Sequence, residues 1–82
     1  MSERTMTQAE AEQEIIDILL MAYTPKVDPK PETTMEELGF DSLEVVEVHL
    51  TMEERFGEEP FVDFLPLPST TVAEYARIAR GA

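Results

Sequence analysis

The chain contains no cysteine. That excludes a disulfide framework, a thiolate metal site and a thiol nucleophile, and it agrees with a cytoplasmic protein. No apolar run is long enough to span a bilayer, and the start, Met1-Ser2-Glu3-Arg4-Thr5, is too polar for a signal peptide. Bases are scarce: six lysines and arginines face eighteen acids, for a net charge of −12 and a pI near 4.2. Such a surface repels nucleic acid and anionic membranes and draws basic protein patches; the same acidity can also do no more than keep a small protein in solution. One histidine, His49, leaves no His/Cys cluster, and there is no D-x-D-x-D-G calcium loop, so no metal site is expected.

What is present is enough apolar material for one small core: 82 residues, 43% of them hydrophobic. The pattern is helical throughout, with no strand, internal repeat or low-complexity tract. Residues 1–6 read as a flexible tail. Thr7 and Glu10 form a capping box that opens a helix over Gln8–Tyr23, with its second half largely buried, and Pro25 ends it. Residues 24–31 hold three prolines and form a loop with Val27 as its one apolar anchor. Thr33-Thr34-Met35-Glu36-Glu37-Leu38 offers a further cap and one short turn, with Met35 and Leu38 able to pack.

A second helix is expected over Ser42–Phe56, capped by Asp41 with Glu44 in a D-x-x-E box and stopped by Gly57. The segment 58–68 is irregular, with at most one helical turn between Phe61 and Leu65. Its Phe61, Phe64, Leu65 and Leu67 are expected to lie across an open side of the bundle. Thr71-Val72-Ala73-Glu74 reads as a third capping box for a last helix ending near Arg80-Gly81, with Val72, Tyr75, Ala76, Ile78 and Ala79 inward.

Winding the second helix at about 100° per residue puts Val45, Val48, His49, Met52 and Phe56 on one face. Leu43, Val46 and Leu50 fall on the other, flanked by Glu47, Glu53 and Glu54. A helix buried on one side does not need that second stripe. It is either a docking face, which the surrounding carboxylates favour, or the far side of a helix packed on both faces.

Ser42 opens this helix, where unpaired N–H groups and the helix dipole suit an anion. It can be a structural cap, a nucleophile or a modification site. Nucleophilic catalysis fails for want of a base: His49 lies seven residues on, about 10 Å along the axis at 1.5 Å per residue, and points to the core face. His49 itself reads as a core-edge histidine.

Leu38-Gly39-Phe40-Asp41-Ser42-Leu43 resembles the L-G-x-D-S-L signature of the acyl carrier protein family. Glu44-Val45-Val46-Glu47-Val48 and Met52-Glu53-Glu54-Arg55-Phe56-Gly57 resemble that family's second helix, and Thr70-Thr71-Val72 resembles the approach to its last one. The likeness runs from about Thr7 to Ala79. It implies an all-α, acyl-carrier-like four-helix bundle, with three main helices and a short, distorted third, in a carrier domain spanning residues 7–80. It implies no catalysis. Ser42 would bear 4′-phosphopantetheine, transferred from coenzyme A by a phosphopantetheinyl transferase, with Asp41 as its capping motif residue, and the thiol of that arm would carry acyl thioesters. Leu43, Val46, Glu47, Leu50, Glu53 and Glu54 become docking residues for acyltransferase, ketosynthase, or acyl- or aminoacyl-activating enzymes with basic patches.

The resemblance is imperfect at His49, where an aliphatic is usual, and in the proline-rich 60–68 segment. Gly39-Phe40-Asp41 looks closer to polyketide and fatty-acid carriers than to peptidyl ones. A discrete monomeric carrier for polyketide or other secondary-metabolite synthesis is the favoured expectation. A free-standing aminoacyl or D-alanyl carrier and an unmodified helical adaptor are the alternatives.

Overall fold

Helix starts in this chain are set by short polar side chains that answer otherwise unpaired N–H groups. The computed structural model describes residues 6–81, so most of the expected tail lies outside it. Met6, the last residue of that tail, packs against the core, and its carbonyl accepts a 3.0 Å bond from Arg80 Nε. Three α-helices follow: α1 (Gln8–Ala22), α2 (Ser42–Phe56) and α3 (Val72–Ala79). Among the described residues the fold is all-helical, as expected. Its expected short helix is reduced to one 3₁₀ turn, Glu59–Phe61. That turn starts earlier than the sequence pattern suggested, because Pro60 is acceptable in a first turn, where its missing N–H costs nothing.

The capping boxes of α1 and α2 form in full: Thr7 with Glu10, and Asp41 with Glu44. A third complete box joins Thr34 and Glu37 and closes the short turn foreseen there. The one expected at Thr71 forms only by half. Thr71 accepts the Glu74 N–H at 3.0 Å, but no reciprocal bond is made. The chain entering α3 is fixed instead by backbone pairing with the first loop. Met35 N–H donates to Thr70 O, Val72 N–H to Thr33 O, Glu36 N–H to Pro68 O and Ala73 N–H to Pro31 O, at 2.8 to 3.0 Å. The result is one isolated antiparallel bridge, Thr34 to Thr71, and no strand among the described residues. Buried Thr33 and Thr70 close the four-residue turns that lead into this seam.

The core runs through Ile15 and Leu19 of α1, Val48 and Met52 of α2, and Val72 and Tyr75 of α3, with Met35 and Leu38 inserted from the loop. Full burial of each such aliphatic is worth about 1.5–3 kcal/mol. The second half of α1 is less buried than its composition suggested. Only the i, i+4, i+8 row Ala11, Ile15, Leu19 is fully covered, and Leu20 and Met21 face outward, because α1 packs chiefly on α3 along a single stripe. Val27 is 48% exposed and anchors nothing; Pro29 is the buried residue of its loop. Among the described residues, no helix is long and apolar enough to cross a membrane.

Gly39 turns the chain from the seam into α2. Its φ is +87°, and a Cβ built there would lie 2.7 Å from Cγ and Cδ of Lys26, whose stem crosses it. Gly39→Ala should therefore cost about 1–2 kcal/mol in urea unfolding. Repeating the substitution in a Lys26→Ala background should recover part of the loss, since that change removes the collision but not the dihedral cost. Equal losses in both backgrounds would show that the collision contributes nothing.

Candidate functional site

The Thr34–Glu37 turn, the seam and Gly39 together deliver the chain to Asp41. Its carboxylate accepts the Glu44 N–H at 2.8 Å while Glu44 Oε1 takes the Asp41 N–H at 3.4 Å. With Asp41 so engaged, Ser42 is the first residue of α2 and is exposed. The N–H groups of Ser42 and Leu43 have no hydrogen-bond partner among the described residues. An exposed hydroxyl next to two free amides at the positive end of a 15-residue helix suits esterification by a phosphate.

Beyond Ser42, the stripe on α2 is open to solvent: Leu43 is 68% exposed, Val46 52% and Leu50 56%. The helix is thus not packed on both sides. Glu47 and Glu54 are exposed beside the stripe. Tyr23 supports it from below, its hydroxyl reaching the Glu47 carbonyl at 3.2 Å and the Thr51 hydroxyl at 2.8 Å. Its ring also leans on Phe40, with centroids 5.8 Å apart.

Glu53 is different. It is half-buried, with Oε2 3.6 Å from His49 Nε2. His49 is itself buried, and its Nδ1 shares a 2.6 Å hydrogen bond with the Tyr75 hydroxyl of α3. Phe61 and Phe64 close over this pair. The Phe61 ring meets the His49 ring edge-on at 5.1 Å, and the Phe64 ring meets that of Tyr75 at 5.5 Å. His49 is therefore a core-edge histidine held by a tyrosine, and Glu53 belongs to both the outer face and this cluster. Helical winding alone foreshadowed the link, because 49 and 53 are i and i+4.

The segment after α2 differs from expectation in its side-chain directions. Phe61 and Pro66 are buried and Phe64 half-buried, but Leu65 and Leu67 face solvent with Val62. Pro66 takes the inward place between the two leucines, so neighbours on either side must point away. These exposed residues were not among the sequence-derived docking candidates. No period in the sequence marks them as outward.

A family model described as a phosphopantetheine attachment site matches residues 13–78. That span runs from α1 to the last turn of α3 and includes Ser42. No curated protein and no solved structure matches the chain.

Burial pushes the Tyr75 hydroxyl well above the ordinary tyrosine range, with the negative charge of Glu53 adding to the effect and Tyr23 adding further. Folding thus favours the neutral phenol. The stabilisation is fully present below the unfolded-state value of about 10 and should fall by roughly 1.4 kcal/mol per pH unit above it. Urea titrations from pH 9 upward should show that slope in the wild type and its absence in Tyr75→Phe. The variant should also lose about 1–3 kcal/mol at neutral pH, because His49 Nδ1 is left buried without a partner.

Proposed function

The chain belongs to the phosphopantetheine-attachment family of acyl carrier proteins, and from that membership we propose that Ser42 is its attachment residue and that its pathway makes a polyketide or other secondary metabolite. Members of this family bind 4′-phosphopantetheine covalently, are generally non-catalytic, and interact with a phosphopantetheinyl transferase and with pathway enzymes. The observation that carries the assignment of Ser42 is its exposed hydroxyl at the start of α2, beside the two amides without partners. Of the other serines and threonines in the matched span, Thr33 and Thr70 are buried, Thr34 and Thr71 are occupied as caps, Thr51 is bonded to Tyr23 and the Glu47 carbonyl, and exposed Thr24 and Ser69 do not open a helix.

The residues around Ser42 fit a phosphate ester. The reciprocal Asp41–Glu44 box fixes the first turn, so the N–H groups of Ser42 and Leu43 stay aimed outward. Both capping carboxylates accept backbone N–H bonds, which moderates their repulsion of a nearby phosphate. When bound, the arm supplies the terminal thiol that the chain lacks, and acyl groups travel on it as thioesters.

On this reading Leu43, Val46 and Leu50 are the apolar contact for partner enzymes, and Glu47, Glu53 and Glu54 meet their basic patches. Exposed charges of this kind set a fast, salt-sensitive encounter and add little to affinity, which suits a carrier that must leave each enzyme after transfer. Local concentration of the tethered cargo does the rest. Gly39-Phe40-Asp41 supports the polyketide and fatty-acid side over the peptidyl one, and the protein acts in the cytoplasm as a monomer of one domain, residues 7–80.

Incubation with coenzyme A and a broad-specificity phosphopantetheinyl transferase should raise the intact mass by one phosphopantetheine group. Ser42→Ala should stay unmodified and equally helical. An unmodified wild type, proven folded by circular dichroism, would favour a helical adaptor instead.

In a reconstituted acyl transfer, Leu50→Ser should lower the rate several-fold while leaving the melting temperature within a few degrees, because the side chain is already more than half exposed. A large fall in melting temperature would remove Leu50 from the docking face.

A further inference from the structure

A groove of about 510 Å³ lies between α1 and α2, on a different side of α2 from the stripe that begins at Leu43. Glu14, Asp17, Ile18 and Met21 form its α1 wall at spacings of i, i+3, i+4 and i+7, so all four lie on one face of the helix. Glu54 and Arg55 face them from α2. We propose that this groove is a second protein-docking surface, which takes a partner segment presenting a bulky apolar side chain flanked by lysine or arginine.

The apolar half of that chemistry comes from α1. Ile18 is half-buried against the core and floors the groove. Met21 at its rim is 87% exposed, and a flexible thioether of that kind adapts to many apolar partners. The cationic half comes from the charge ledger of the walls. Arg55, the one base in the groove, is engaged by Glu14, with its Nε and Nη2 both turned to Glu14 Oε2. Among the described residues Asp17 accepts only the Gln13 amide, at 2.9 Å, and Glu54 is exposed. Two carboxylates therefore flank an apolar floor with no countercharge left for them among the described residues. An incoming anion, whether nucleic acid or an acidic headgroup, meets repulsion there, and an incoming cation beside an apolar side chain satisfies both walls.

The groove does not include Ser42, and the proposal holds with or without an arm on that residue. Glu54 stands one turn beyond Leu50, so it borders both the groove and the outer stripe. A partner gripping the groove would thus leave Leu43 and Val46 free for a second protein.

The test uses the isotope-labelled full chain and a synthetic amphipathic peptide that alternates pairs of leucines with pairs of lysines. A control peptide carries serine at every leucine. Saturable amide shifts should centre on Glu14, Asp17, Ile18, Met21 and Glu54, and the serine peptide should bind at least several-fold more weakly. Met21→Gln and Asp17→Asn, both at exposed positions, should each weaken binding about threefold or more with helicity unchanged. Leu50→Ser should leave the shifts at the groove residues as they were. Shifts confined to Leu43, Val46 and Leu50, with none at the groove residues, would overturn the proposal. So would equal binding of the serine peptide, no saturable shift, indifference to both groove variants, or self-association of the chain through this face.

Discussion

Two stretches of this small protein have no helix to satisfy their backbone, and each supplies what the other needs. Residues 31–36 and 68–73 exchange N–H and carbonyl groups across four bonds. Buried backbone polar groups are costly to leave unpaired, so this seam is obligatory once Met35 and Leu38 are driven into the core. It joins the start of α3 to the turn that precedes α2. The position of Ser42 thus depends on pairing made about thirty residues further along the chain.

The second polar element in the interior is the His49–Tyr75 pair. A histidine in a core of 15 apolar residues would be a liability alone. The Tyr75 hydroxyl at 2.6 Å answers one nitrogen by a hydrogen bond, and the Glu53 carboxylate stands 3.6 Å from the other. The four aromatic rings gathered there join α2, α3 and the linking segment. Glu53 thereby links the outward side of α2 to the interior.

Local signals made the helices legible. Each start carries a Thr or Asp with an acid three residues on, and each apolar row repeats with helical spacing, so Asp41, the exposure of Leu43, Val46 and Leu50, and the buried His49 all follow from residues close in sequence. The seam has no such signal. Its bonds are backbone to backbone, accepted by carbonyls of threonines and prolines that leave no period, and its partners are distant. The same reason explains the half-formed box at Thr71, whose setting is decided by the other loop. Outward-facing Leu65 and Leu67 escaped because a short apolar run near prolines does not say which of its members the core can reach. Partners of His49 were hidden for a different reason: Tyr75 read only as an inward residue of α3, and packing alone brings the two together.

The linking segment is held in an unusual way for a part of the fold that covers polar groups. Among the described residues its backbone bonds are short-range, from Phe61 to Glu58, Val62 to Glu59 and Phe64 to Phe61, and none ties residues 59–66 to a helix. Only the side chains of Phe61, Phe64 and Pro66 fasten it. Lifting it breaks no long-range ladder and costs only the burial of those three side chains. Such a sub-global opening would let water reach His49 and Tyr75 while α1, α2 and the seam stayed formed, so the interior of this bundle has a door that swings without the house coming down.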